Sequence, residues 1–191
     1  MISMARKRSM VCAVAVALSA ASCAGDTAGP SVRSAPLPSL SPGEPCPVTE
    51  ASDPLRPSLG LGDMLGNAPV RPVGFKSGAR FVFATGNAHA GSHWGGGKVV
   101  WAVEPGFDER VVINGRRIDG PELVRFGRAK DDSLVLPAAP NGANDTANLQ
   151  GWRSFPSEVR VEQEGCYAFQ IGTSTAAFTV VFIASRSTTV S

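Results

Sequence analysis

Short segments in which apolar residues occupy every second position, or form an unbroken apolar run, recur from residue 80 onward and predict β-strands. In the segment 98–104, Val99, Trp101 and Val103 alternate with positions that include two charged residues, and we expect their shared face to be buried. The predicted strands are 80–83, 98–104, 111–113, 116–118, 123–126, 134–136, 158–162, 166–171 and 176–184.

Three segments late in the chain indicate how their strands are buried. The segment 158–162 alternates strictly between charged residues and valine, which predicts a half-buried strand. In the next segment, Tyr167, Phe169 and Ile171 fall on one face. The continuous apolar run 176–184 is typical of a central strand, because both of its faces are apolar.

A β-hairpin is predicted where Asn114 and Gly115 separate the strand-like segments 111–113 and 116–118. Asn-Gly favours a type I′ turn, since both central residues of that turn need a positive φ.

The residues before position 80 have a weaker pattern. The segment 47–77 is rich in glycine and proline, and we expect irregular structure with at most a turn of helix near residues 61–65. Many short strands without a long amphipathic helix predict a mostly β fold, an antiparallel sandwich or barrel. One domain over residues 46–185 accommodates them, followed by a tail at 186–191.

The first 22 residues have the organisation of a secretory signal peptide. Three basic residues at positions 6–8 precede an uncharged run from residue 10 to residue 21 and a set of small residues. The run is about 12 residues long, whereas a membrane-spanning helix needs roughly 20. We therefore favour cleavage after Ser22 over a permanent transmembrane segment.

The signal ends in Ala20-Ala21-Ser22-Cys23. These residues resemble the lipobox of bacterial lipoproteins, in which a diacylglycerol is attached to the cysteine, with Ala20 where the pattern usually has leucine. The resemblance implies that Cys23 is lipidated and anchors the protein to the extracytoplasmic face of the cell membrane. Two acyl chains are sufficient for stable anchoring. The alternative is an ordinary signal cut that leaves Cys23 as a free thiol.

The segment 23–45 is predicted to be a linker between the anchor and the domain. It is rich in proline, serine and glycine and has few large apolar residues, so it buries too little surface to offset the cost of ordering. Fully extended, it would reach about 70 Å.

The charge of the chain argues against nucleic-acid binding. Three of the 18 basic residues precede Cys23, whereas all 16 acidic residues follow it, so the mature chain has a net charge of −1. A nearly neutral exported domain lacks the basic surface that nucleic-acid binding requires.

The four cysteines have three predicted fates. Cys12 is removed with the signal, Cys23 carries lipid, and Cys46 and Cys166 remain in the domain. Outside the cytoplasm an isolated pair most simply forms a disulfide. The alternative, a metal site with two thiolate ligands, lacks a CxxC motif or a nearby histidine partner.

A glycine-rich loop at 86–97 contains His89, His93 and Trp94, and it is the one candidate for a small-ligand, metal or enzymatic site. The surrounding glycines argue against the helix that would give the histidine spacing a meaning. Phosphate-loop, dinucleotide-fingerprint and nucleophile-elbow motifs all fail on spacing or residue type. We therefore predict no catalytic, cofactor-binding or metal-binding residues.

Several sequence blocks follow one another from a Cys-Pro pair after the linker to a late Gly-Cys-aromatic strand: 65–70, 98–101, 114–120, 152–156 and 165–170. Together they resemble a family of uncharacterised bacterial lipoproteins. The resemblance implies an immunoglobulin-like β-sandwich and the bridge from Cys46 to Cys166. It supplies no catalytic residues.

These observations lead to two hypotheses for function. The favoured one is a non-enzymatic, membrane-anchored lipoprotein whose domain binds another envelope component, a protein or a glycan. The alternative is an enzyme or a receptor for a small ligand or metal that uses the loop at 86–97.

Overall fold

The structure is a computed structural model that describes residues 31–41, 43–53, 60–85, 93–138 and 151–187. The described residues form eleven β-strands and no helix. The strands are β1 Ala51–Ser52, β2 Asp63–Leu65, β3 Val70–Phe75, β4 Arg80–Phe83, β5 Gly95–Val103, β6 Val111–Arg117, β7 Arg125–Phe126, β8 Leu134–Leu136, β9 Arg153–Val161, β10 Gly165–Gly172 and β11 Ala177–Arg186.

Two sheets pack face to face, which confirms the predicted mostly β sandwich. The first has the order β1-β2-β3-β5-β9-β7 and the second the order β4-β11-β10-β6-β8. All strand pairs are antiparallel except β4 with β11. The central strands match an immunoglobulin sandwich, whose sheets have the orders ABED and CFG. Here β3-β5-β9-β7 corresponds to ABED and β6-β10-β11 to CFG, in the same order along the chain.

Aromatic side chains fill the space between the sheets. Phe169 of β10 stacks on Phe182 of β11 at 4.5 Å between ring centroids, and Trp101 of β5 meets Phe169 edge-on at 5.0 Å from the opposite sheet. All three are fully buried. The alternation predicted for β5 and β10 is confirmed, because Val99 and Tyr167 also belong to this core.

Tyr167 ties the connection between β9 and β10 to the core. Its hydroxyl donates a hydrogen bond to the carbonyl of Gln163 at 2.9 Å. A tyrosine in this place, at the start of strand F, is a hallmark of immunoglobulin domains. Burial of the ring raises the pKa of the Tyr167 hydroxyl to about 12, so the group stays protonated and keeps donating.

The predicted hairpin at Asn114 and Gly115 is wrong. Both residues lie inside one strand, β6, which pairs with β10 along its length. An added Cβ at Gly115 would lie 2.9 Å from Val124 and 3.1 Å from Phe169. Glycine at this position therefore admits two core side chains, and no turn is formed.

The prediction for residues 47–77 is also corrected. The segment contains β1, β2 and β3, and the expected turn of helix at 61–65 is instead β2. Pro72 and Gly74 lie inside β3 and weaken its sequence pattern, because both residues are disfavoured within strands. Val70 and Phe75 of β3 are nonetheless fully buried.

The second half of the predicted linker lies against the domain. We call residues 31–46 the strap; the structure describes all of them except residue 42. Leu37, Leu40 and Cys46 pack on an apolar patch on the outer face of β10, β11 and the end of β6. The patch consists of Ile118, Cys166, Ala168 and Val181. The strap has few apolar residues, but Leu37 and Leu40 are partly buried against this patch, and the disulfide at Cys46 adds a covalent link.

Cys46 and Cys166 form the predicted disulfide, with their Cα atoms 5.6 Å apart. The side chain of Cys166 lies on the outer face of β10, whereas that of its neighbour Tyr167 faces the core. The bridge therefore fastens the strap to a strand, unlike the bridge between sheets in antibody domains. Contact between β5 and β10 across the sandwich is made by Trp101 and Phe169 instead.

Candidate functional site

An open groove lies on the outer face of the first sheet, over β5 and β9. These strands pair antiparallel, with Gly96 opposite Arg160 and Lys98 opposite Glu158. Since side chains alternate between faces, these four positions point away from the core. The groove encloses about 800 Å³. It is lined by Gly96, Gly97, Lys98, Arg128, Pro156, Ser157, Glu158 and Arg160.

Three consecutive glycines at the start of β5 shape the floor of this groove. On the inner face, a Cβ on Gly95 would lie 2.2 Å from the Phe83 ring, and a Cβ on Gly97 would lie 3.0 Å from the Phe81 ring. Those two glycines therefore let the aromatic residues of β4 pack closely. Gly96 lies on the outer face of β5 and is itself buried, although it lines the groove.

Arg160 holds one wall of the groove in place. Its side chain is largely buried, donates from Nε to the carbonyl of Gly127 at 2.7 Å, and donates to Glu158 Oε2 at 3.1 Å. The amide of Gly127 also donates to the carbonyl of Glu158 at 2.8 Å. These bonds fix the turn that follows β7, and Arg128 is the next residue of that turn.

The groove has an excess of positive charge. Its lining contains three cationic side chains and one carboxylate, a net charge of +2. Glu158 is already bonded to Arg160. Lys98 and Arg128 are exposed and form no ion pair or hydrogen bond with any residue that the structure describes. Two cations are thus available to an anionic ligand, whose interaction with each would be partly screened by solvent.

Among the described lining residues of the groove, one hydroxyl is present, on Ser157. It accepts a hydrogen bond from Trp101 Nε1 at 2.8 Å and so satisfies a buried indole. No histidine or cysteine is among the described lining residues. Within the described ranges no three His, Cys, Asp or Glu side chains group in a way that could hold a metal ion.

The loop proposed at 86–97 is only partly a loop. Gly95 to Gly97 belong to β5, so that portion of the prediction is wrong. His93 is mostly exposed, and its Nε2 lies 3.5 Å from Oε1 of Glu162. The His93 ring packs beside the ring of Trp94, which is buried. His89 lies outside the described residues, as does the predicted lipidation site Cys23, and both stay predictions.

The sequence analysis missed the groove because its parts come from three separate segments. Alternation correctly placed Glu158 and Arg160 on the polar face of β9. The three glycines carried a usable signal, since glycine inside a strand often marks a close approach of other groups. Nothing in the sequence brings Arg128 to them, because only the pairing of β7 with β9 does so.

Comparison with family models, with curated proteins and with solved structures found no match for this chain. Within the parts of the chain that the structure describes, no helix is long and apolar enough to span a membrane.

Proposed function

We propose that this protein is a lipid-anchored, non-enzymatic lipoprotein of the cell envelope that binds an anionic glycan in the groove over β5 and β9. The observation that carries the proposal is a pair of exposed cations in the groove, Lys98 and Arg128, which have no partner among the residues that the structure describes. Carboxylate or phosphate groups of a polymer supply the complementary charge.

The described lining of the groove does not resemble the centre of a protein interface. The centres of protein interfaces are enriched in aromatic residues and methionine. The described lining of the groove contains neither, and consists of glycine, proline, serine and charged residues.

The location of the protein follows from its N-terminal sequence. The signal at residues 1–22 and the lipobox-like residues before Cys23 support export and acylation. The disulfide between Cys46 and Cys166 agrees with an oxidising compartment outside the cytoplasm. The proposed partners are therefore the membrane, through the anchor, and a glycan of the envelope.

The proposal is tested by reversing the two free charges. Polygalacturonate and inorganic polyphosphate are the anionic probes, neutral dextran is the uncharged one, and binding is measured by calorimetry at two salt concentrations. We expect the parent to bind one or both anionic polymers and the K98E/R128E variant to lose about tenfold or more in affinity, about 1.4 kcal/mol. Higher salt should weaken binding by the parent.

A matched control separates local charge from total charge. Arg110 and Arg116 are also exposed but lie just before and within β6, in the second sheet, so R110E/R116E makes the same change in net charge. It should bind as the parent does. Equal losses in the two variants, or equal binding of dextran and the anionic polymers, would refute the groove as an anion site. Binding of an envelope protein, and of no polymer, would assign the protein to the other partner class.

A further inference from the structure

The strap runs along the outer face of β10 in a defined direction. At its start, the amide of Arg33 donates to the carbonyl of Thr173 at 2.8 Å, just beyond the end of β10. In its middle, Gln170 donates to the carbonyl of Ala35. At its end, Cys46 is bonded to Cys166 near the start of β10. The strap is therefore antiparallel to β10 and covers its whole length.

The sheet is adapted to receive the strap. A Cβ on Gly172 would lie 2.2 Å from the carbonyl oxygen of Arg33, so glycine is needed where the strap first meets the sheet. Further along, the amide of Leu40 donates to the carbonyl of Ile118 at 2.9 Å. Hydrogen bonds, apolar contacts and a disulfide thus hold the strap at successive points.

This arrangement shortens the tether. With residues 31–46 held on the sheet, eight residue steps separate Cys23 from residue 31, a reach of about 27 Å when fully extended. The whole linker from 23 to 45 would have reached about 70 Å. The tether leaves the domain at the turn between β10 and β11, and the opposite end of β10 is a further ~26 Å away, at about 3.3 Å for each of its residues.

We propose that the strap orients the sandwich on a lipid surface, with the β10–β11 turn towards the membrane and the groove away from it. The inference rests on the proposed function, because it requires the acyl anchor at Cys23. The groove lies near Gly96 and Arg160, at the end of β9 that leads into the start of β10. The bound glycan is therefore held on the side of the domain remote from the anchor.

Energy transfer to acceptor-labelled phosphatidylcholine vesicles tests the orientation. If Cys23 is acylated and the other two cysteines are paired, one added thiol is the single labelling site of the mature protein. Asp108, in the connection between β5 and β6, lies at the end with the β10–β11 turn, and Gln163 lies at the opposite end; both are exposed. Transfer should be stronger from a dye at D108C than from one at Q163C in the reconstituted full chain.

Two variants show whether the strap causes the difference. L37D/L40D should release the strap, and trypsin should then cut faster after Arg33, whose own amide is hydrogen-bonded to the carbonyl of Thr173 in the parent. Insertion of about twelve Gly/Ser residues after Ala24 lengthens the tether and leaves the strap in place. In both variants we expect the difference between the two dyes to be lost.

Intact-mass spectrometry on the same samples distinguishes the possible failures. An acylated protein with equal transfer from the two positions, or stronger transfer from Q163C, overturns the orientation and leaves the anchor standing. An unacylated Cys23 overturns both. Persistence of the difference after the insertion would show that contacts other than the short tether set the orientation, and would also overturn the inference.

Discussion

Gly115 shows how a single missing side chain determines local packing. The residue has extended backbone in the middle of β6, opposite Phe169 of β10. A Cβ there would lie 2.9 Å from Val124 and 3.1 Å from the Phe169 ring, closer than side chains normally approach. The position therefore requires glycine because a larger residue has no space there. Its backbone φ is not the reason, since other residues adopt the same value.

We expect Gly115→Ala to destabilise the domain by about 1–3 kcal/mol, the usual cost of forcing an extra carbon into a packed core. The free energy of unfolding from urea titration measures it. Asn114→Ala is the control, because Asn114 is exposed in the same strand and should change stability by less than about 0.5 kcal/mol. Equal stability of the Gly115→Ala variant and the parent would contradict the packing described for β6.

At the scale of elements, Glu109 fastens two connections to each other. It precedes β6, and its carboxylate accepts hydrogen bonds from the hydroxyls of Ser174 and Thr175 in the turn between β10 and β11. Those bonds, led by the one from Ser174, lower the pKa of Glu109 from 4.5 to about 2. The carboxylate is exposed, so the contact is a surface clasp whose strength salt reduces.

The lowered pKa of Glu109 predicts a pH dependence of stability. Because the folded-state pKa lies below the unfolded value, the contribution of Glu109 is present above about pH 4.5 and is lost as the pH falls towards 2. Glu109→Gln should therefore lower the Tm at pH 6 and leave it nearer to the parent at pH 2. Thermal unfolding over this range measures the effect.

Asp108→Asn serves as the control for that titration. Asp108 is the adjacent exposed carboxylate and forms no hydrogen bond or ion pair with the described residues. Its substitution should preserve the Tm difference of the parent between pH 6 and pH 2. A Glu109→Gln variant that follows the parent at every pH would show that the clasp adds nothing to stability.

For the whole molecule, the disulfide closes a loop across almost the entire domain. Cys46 and Cys166 are 120 residues apart in sequence. A link of that length removes conformational entropy from the unfolded chain, and a loop of this size corresponds to about 4–5 kcal/mol as an upper figure. The bridge also holds the last residue of the strap on β10.

We expect C46A/C166A to lose up to about 4–5 kcal/mol in the free energy of unfolding and to show a larger urea m-value, because its unfolded state is less compact. Alanine is chosen instead of serine because Cys166 is buried, and serine would place a hydroxyl group there. The parent unfolded with a reductant present is the matched comparison and should behave like the variant. A loss below about 1 kcal/mol would mean that the strap and its sheet hold together without the bridge.

The sequence by itself determined the strands whose pattern is local. Alternation identified β5, the second half of β9 and the core face of β10, because side chains in a strand alternate between core and solvent whatever the fold. Short apolar runs identified β4, β8 and β11. The cysteine pairing was equally accessible, since the domain contains one pair. The signal and lipobox-like residues supported the anchor at Cys23, which stays a prediction.

The tertiary structure decided everything that depends on residues distant in sequence. Asn114-Gly115 has the local chemistry of a turn, yet pairing with β10 and the approach of Val124 make it part of a strand. The strap looks like a linker until an apolar patch on the second sheet is available to it. The groove likewise exists only once β7 pairs with β9 and brings Arg128 beside Lys98, because no local pattern encodes which strands become neighbours.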